Sequence, residues 1–412
     1  MARGNYYENF DSETGTKSRI VRTLVANKVW ILGGLTLVFL ISTIALAARG
    51  TKQVVVDNTV STTTEPTTTY APLCTNPPLE KRFNCHPEPG ANEASCEARG
   101  CCFNLVENAP SEVPQCYFPD NYNGYSAEII SQTEYQVIVT LRRQRESGFP
   151  ADVGEVNLEI SFVNENMLRA RFTDPSVRRW EVIPPLPLSM KFARDSSKFL
   201  YTVTVEDNIL KVIRRSSNKV LVSTDLRRLV YSDQFLQIDW AVPSDYIYGL
   251  SEHKNKFRQN VTWNRYTIFN RGEQPKDAAK SPNLNFYGTH PMYMMVEDTV
   301  GTTHGVFVFN SNAMDVILQP GALTWRIVGG ILDIFVYLGP TPRDVVKQHS
   351  QLIGTPSLPQ FWTLGFHLSR YGYNSTNATV AAYERTINAS IPLDCQWNDI
   401  DAFDAHNDFT YA

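Results

Sequence analysis

Residues 155–173 read EVNLEISFVNENMLRARFT. Val156, Leu158, Ile160 and Phe162 alternate with Asn157, Glu159 and Ser161, the period of two that sends successive side chains to opposite faces of a strand. After the polar turn Asn164–Asn166, Leu168, Ala170 and Phe172 alternate with Arg169 and Arg171. The two runs therefore predict an antiparallel hairpin with one buried face. Similar runs recur at FLYTVTVEDNILKVI (199–213), KVLVSTD (219–225), FLQIDWAV (235–242), HGVFVFNS (304–311) and LTWRIVGGILDIFVYL (323–338), parted by Asp, Asn, Pro and Gly turns. Many short strands with few helices between them predict a β-sandwich over residues 126–355.

Toward the N-terminus, the chain changes character. Val29–Ala48 (VWILGGLTLVFLISTIALAA) contains no charge, and at ~1.5 Å per residue it makes a helix of about 30 Å, the hydrocarbon thickness of a bilayer. Lys17, Arg19, Arg22 and Lys28 flank it on one side against Arg49 and Lys52 on the other, which predicts a cytoplasmic N-terminus. Ala45 and Ala47 offer a signal-peptidase-like site, but the apolar run is longer than an ordinary signal h-region and is preceded by 28 residues. The expectation is an uncleaved anchor: tail 1–28, span 29–48, and everything beyond it extracellular or lumenal in a single-pass type II protein. Residues 49–72 include VSTTTEPTTTY, a Ser/Thr run with proline that reads as a stalk.

The charge balance excludes one large class of function. With 38 basic and 42 acidic residues the net charge is −4, and no basic stretch of the kind nucleic acid requires is present. Six of the seven cysteines crowd between Cys74 and Cys116, which in an exported segment reads as a disulfide framework. Paired C-x2-C spacings are absent, so a zinc site is disfavoured. Spacing alone leaves fifteen pairings open. The order Cys74, Cys85, Cys96, Cys101, Cys102, Cys116, with Arg82 and with Phe103 after the adjacent pair, resembles the trefoil (P-type) domain, here spanning 73–122. That resemblance implies Cys74–Cys102, Cys85–Cys101 and Cys96–Cys116. It also brings two alternative roles, contact with glycan or mucin and a rigid spacer.

At Pro356 the pattern changes again. FWTLGFHLS (361–369) reads as a buried strand, Thr376–Asn388 as a helix with Val380, Tyr383 and Ile387 on one face, and LDCQWNDID (393–401) as a second strand. Strand, helix, strand is the unit of a parallel α/β sheet or barrel. On such a strand Trp397, Asp399 and Asp401 share a face near the end where barrel enzymes build their sites. Sequons open at Asn260, Asn374, Asn377 and Asn388, all beyond the anchor. Cys395 reads as a small buried hydrophobe, and His290 and His304 as structural hydrogen-bonders.

SDYIYGLSEH (244–253), NFYGTHPMYM (285–294), NSNAMDV (310–316), FWTLGFHLSRYGY (361–373) and DIDAFDAHNDFTY (399–411) resemble the α-glucosidase family of sucrase-isomaltase, maltase-glucoamylase and lysosomal α-glucosidase. Anchor, stalk and trefoil stand in the order of its intestinal members. The resemblance implies a galactose-mutarotase-like sandwich at 126–355 and the first strands of a catalytic (β/α)8 barrel at 356–412. It further implies retaining hydrolysis of α-linked glucose from maltose, isomaltose and starch fragments, with no metal or organic cofactor, at an apical membrane. Carried over by position, Asp399 becomes a substrate-binding carboxylate, Ile400 lines the first sugar subsite and Tyr371 forms a pocket wall.

Two departures stand out. The family's Asp after Phe-x-Arg is Gly272 here, with Glu273 next to it, and the residue after Asp401 is the small Ala402. Retaining hydrolysis needs two carboxyls about 5–5.5 Å apart on opposite sides of the bond. The family's nucleophile lies in W-x-D-M-N-E on a later strand, with the acid/base further on, and that motif is absent from these 412 residues. The resemblance thus places both catalytic carboxylates beyond Ala412, the last residue of the sequence. The expectation is a portion of an α-glucosidase without its catalytic residues. The alternative is a non-catalytic, membrane-anchored protein that binds carbohydrate or mucin.

Overall fold

The computed structural model describes residues 70–182, 195–270, 283 and 285–410. The expected anchor 29–48, the tail and nearly all of the stalk lie outside the described residues, as do Gly272, Glu273 and Ala412. Among the described residues no helix is long and apolar enough to cross a membrane.

The trefoil is small, and covalent links hold it. Helix α1 (Glu93–Ala98) starts on a capping box in which Asn92 Oδ1 accepts the Ser95 amide and Ser95 Oγ accepts the Asn92 amide, each at 3.0 Å. Strands β1 (Cys102–Phe103) and β2 (Cys116–Tyr117) pair antiparallel. Disulfides join Cys74 to Cys102, Cys85 to Cys101 and Cys96 to Cys116. Cys85, Cys96, Cys101 and Cys116 are buried with Phe118 and Tyr122, a core too small to hold without cross-links.

The sandwich follows. Its first half is β3 (Tyr125–Gln132), β4 (Gln136–Arg143), β5 (Glu155–Asn164), β6 (Met167–Thr173), β7 (Tyr201–Glu206), β8 (Ile209–Arg214), β9 (Lys219–Asp225) and β10 (Val230–Tyr231). Its second is β11 (Leu236–Ala241), β12 (Tyr246–Gly249), β13 (Asn264–Ile268), β14 (Met292–Val296), β15 (Thr303–Val308), β16 (Met314–Gln319), β17 (Ala322–Ile327) and β18 (Leu332–Tyr337). One sheet runs β13-β16-β17-β11-β9-β8-β7, with β10 on β11; the other runs β12-β14-β15-β18-β6-β5-β4-β3. The hairpin β5–β6 has the register its alternation calls for, with Leu158 opposite Phe172 and Ile160 opposite Ala170. The register shifts at a bulge around Val163, whose side chain lies on the outer face among Phe307 and Phe335.

Inward residues of both sheets interlock around Trp240 and Trp325, whose rings lie 6.2 Å apart. Trp240 Nε1 donates to Tyr293 Oη across the two sheets at 3.0 Å, which satisfies a polar group that would otherwise be costly to bury. At one end the inward positions carry charge. Arg214 follows Leu210 and Val212 on the inner face of β8, Glu297 follows Tyr293 and Met295, and His304 precedes Val306. Arg214 grips Glu297 through Nε at 2.9 Å and Nη2 at 2.6 Å, and His304 Nδ1 lies 3.0 Å from Glu297 Oε1. His304 is thus a structural hydrogen-bonder.

Each outer face is covered over some of its strands. Helix α2 (Pro342–Ile353) starts with Pro342 after the cap Thr341, whose hydroxyl accepts the Asp344 amide at 3.2 Å, and ends at Gly354. Its buried Val345 and Leu352 pack with Phe307, Phe335 and Tyr337, contributing about 1.5–3 kcal/mol each, and Gln348 between them exchanges hydrogen bonds with the Gly339 backbone. Gly305 makes room for it: a Cβ there would sit 2.5 Å from Val345 Cγ1. The trefoil covers the other sheet. Gln237 Nε2 donates to the Asn84 carbonyl at 2.8 Å, Gln319 Nε2 donates to Glu80 and Arg82 carbonyls, and the Arg228 guanidinium lies 4.4 Å over the Phe83 ring while pairing with Asp239.

Burial holds the imidazoles of His253, His304 and His349 below their ordinary value of 6.5, so each favours its neutral form in the fold. The unfolded chain then takes up more protons just below pH 6.5, and stability falls as pH falls. Thermal unfolding of the full chain in detergent is expected to show a midpoint that declines from pH 7 toward pH 5.5. A flat or rising midpoint over that interval would contradict the assignment.

Candidate functional site

Beyond α2 the chain forms a parallel unit. Strands β19 (His367–Arg370) and β20 (Cys395–Asn398) pair with His367 opposite Cys395 and Arg370 opposite Asn398, joined by helix α3 (Thr376–Asn388). Ser375 caps α3 by accepting the Ala378 amide at 3.2 Å. Tyr371 directly follows β19 and Asp399 directly follows β20, so both stand at the same edge, the C-terminal ends of two parallel strands. The catalytic carboxylates expected beyond Ala412 fall outside this unit, whose described residues end at Thr410.

Both strands are shorter than their apolar patterns suggest. Phe361–Leu364 is a 3₁₀ turn rather than strand, and Phe361 is 91% exposed, so the expected buried strand 361–369 is corrected to His367–Arg370. At the other strand the ladder stops at Asn398 because Asp399 caps a 3₁₀ turn, Ile400–Ala402, its Oδ1 accepting the Ile400 amide at 2.7 Å. The period of two therefore does not run on to Asp401, and the common face expected for Trp397, Asp399 and Asp401 is lost. Asp401 instead braces the neighbouring loop, its Oδ2 accepting the Asn374 amide at 3.1 Å. That backbone donor, together with Gly372, holds its carboxyl below the usual carboxylate range. Ile400 and Tyr371 are exposed, Asp399 is half-buried, and the Tyr371 ring lies edge-on to His406 with centroids 6.3 Å apart. Cys395 is half-buried rather than buried.

The sequence reading missed the polar scaffold beneath this edge. Trp397 Nε1 donates to His367 Nδ1 at 2.8 Å, with Trp362 stacked on the same imidazole. Gln396 Nε2 donates to Tyr373 Oη at 2.9 Å and to the Leu368 carbonyl at 3.2 Å. The signal that finds them is a glutamine and a tryptophan side by side within a strand four residues long, where polar side chains need partners on the neighbouring strand. The side chains of Asn260, Asn374, Asn377 and Asn388 are exposed.

Three family descriptions match the chain: the trefoil (P-type) domain at 74–119, the glycosyl hydrolase 31 N-terminal galactose mutarotase-like domain at 157–316, and the glycosyl hydrolases family 31 TIM-barrel domain at 356–412. The chain belongs to glycosyl hydrolase family 31. Relatives in that family include lysosomal α-glucosidase of Bos taurus, 40% identical over 83% of this chain and 36% of its own length. Intestinal sucrase-isomaltase of Homo sapiens is 38% identical over 91% of this chain and 21% of its own length. The probable maltase-glucoamylase 2 of Homo sapiens is 39% identical over 81% and 13%. The chain thus spans about a third or less of the length of these family 31 relatives. Among solved structures, the glucosidase II α subunit superposes with a TM-score of 0.57 at 16% identity, covering 71% of this chain and 40% of that one, a likeness of fold.

Within this family 31 unit, Asp401 is a brace for the loop that carries Tyr371. Asp401→Ala is expected to speed hydrogen exchange of the Asn374 amide severalfold while amides of β11 and β17 keep their parent rates. An unchanged Asn374 rate would contradict the brace.

Proposed function

We propose that this chain supplies the substrate-binding edge of a membrane-anchored family 31 α-glucosidase, with Asp399, Ile400 and Tyr371 at the first sugar subsite. The observation that carries the reading is the placement of Asp399 and Tyr371 at the C-terminal ends of adjacent parallel strands, the edge where βα loops build barrel sites. A carboxylate there holds sugar hydroxyls by charge-assisted hydrogen bonds, and an exposed aromatic offers the apolar face of a sugar a surface. The ligand class is α-linked glucose oligosaccharide, in keeping with the names of the relatives.

The same reading assigns the uncharged run 29–48 to a type II anchor, which puts the trefoil and sandwich outside the cytosol, and N-linked glycans to the exposed Asn260, Asn374, Asn377 and Asn388. The trefoil's outward surface then faces mucin or glycan.

Retaining cleavage requires a second carboxyl opposite the first. Asp401 is tied to Asn374 two residues from Asp399 on the same edge, so these residues bind without cleaving. The full chain in detergent is expected to bind maltose and to show no turnover of a chromogenic α-glucoside. Asp399→Asn is expected to weaken binding about tenfold or more, the worth of one charged hydrogen bond. Turnover above the blank, or maltose binding unchanged in the variant, would overturn the assignment.

A further inference from the structure

A cleft of about 330 Å³ lies between the trefoil and the outer face of the sandwich, far in sequence from Asp399. Pro87 and Glu88 form its trefoil lip, and β13, β16 and β17 supply Arg265, Asp315 and Arg326. Phe149 and Phe235 form an aromatic wall, stacked face to face with centroids 4.0 Å apart and planes 8° from parallel. Arg99 of the trefoil covers Phe149 at 4.9 Å, so the wall is held by both domains. The volume falls in the range of small-ligand sites, and the lining combines an aromatic pair with a few charged groups.

The charges of this cleft are unevenly matched. Glu88 is taken by Arg99 at 2.6 Å and by His86 at 3.0 Å. Asp315 accepts the Thr267 hydroxyl at 2.6 Å and lies 3.8 Å from Arg265, which also meets Glu112 at 3.4 Å. Arg326 differs. Its Nε donates to Gln237 Oε1 at 2.9 Å, and among the described residues no carboxylate lies within 4.0 Å of its guanidinium. Burial accordingly pulls its pKa down to about 10, with Asp315, Glu112 and Glu88 compensating only from a distance. A half-buried guanidinium without a counter-ion is an unfavourable arrangement that an anion relieves, and its paired Nη groups match a carboxylate.

We propose that this cleft binds a ring bearing a carboxylate, with the carboxylate on Arg326 and the ring packed on the side of the Phe149–Phe235 pair that lines the cleft. Two kinds of molecule share that chemistry, an aromatic acid and an acidic sugar such as a sialic acid. Guanidinium–carboxylate pairing fixes the orientation, and the cleft-lining side of the aromatic pair packs against an aromatic ring or the apolar face of a sugar. The site exists only when the trefoil is seated on the sandwich, because Glu88 and Arg99 come from one side and Arg326 from the other. It uses no residue beyond Val328 and stands or falls separately from the sugar subsite at Asp399.

Ligand-observed NMR on the full chain in detergent tests this with four probes: benzoate against benzamide, and N-acetylneuraminic acid against its methyl ester. Binding of at least one acid, at least tenfold tighter than its neutral partner, is expected, and which acid binds identifies the source. Arg326→Gln is expected to abolish the preference, and Arg326→Lys to retain part of it, with the unfolding midpoint of each variant confirming the fold. Equal binding of acid and neutral partner, no binding of either acid, or a preference that survives in Arg326→Gln would each overturn the proposal.

Discussion

A buried ion pair joins the two sheets where apolar packing gives way to charge. Arg214 and Glu297 are 3% and 4% exposed, and they meet through two parallel hydrogen bonds with His304 on the same carboxylate. Burial alone would raise the Glu297 carboxyl, but the hydrogen bonds from His304 and Arg214 outweigh it and hold it ionised. A lone charge at that depth costs several kcal/mol, so the sheets are committed to the register in which both partners meet. The facing of β8 on β14 and β15 therefore follows from chemistry as well as from shape.

That register determines what the outer faces must do. Strands β15 and β18 are buried along their whole length, which requires cover on both sides. Helix α2 covers one sheet and the trefoil covers the other. Both covers also have functional consequences. Helix α2 delivers the chain to β19 and so to the edge that bears Tyr371 and Asp399, and the trefoil closes the cleft at Arg326.

Much of this was legible in the sequence, and the failures have physical causes. Alternation at 156–172 is a local signal, and β5 and β6 formed as written apart from the bulge at Val163. Helix α3 spans Thr376–Asn388 as its periodicity predicts, and Ser375 caps it. Helix α2 went unread although Thr341, Pro342 and Gly354 mark its ends, because its apolar stripe has only Val345 and Leu352 around a buried Gln348. The end of β20 was overextended because a capping aspartate ends a ladder through its side chain, which a pattern of apolar residues does not register. The ion pair and the cleft were invisible for another reason. Arg214 and Glu297 are 83 residues apart, and Arg326 matters for what it lacks, which only the folded arrangement reveals.

The seam between the sheets gives the most direct test. Glu297→Ala in the full chain removes one partner and leaves Arg214 buried and unpaired, a loss of about 3–5 kcal/mol that lowers the thermal midpoint on the order of 10 °C. Glu297→Gln, which keeps the shape and one acceptor, should fall between the parent and the alanine variant. A Glu297→Ala midpoint within about 2 °C of the parent, a loss of about 1 kcal/mol or less, would contradict the account.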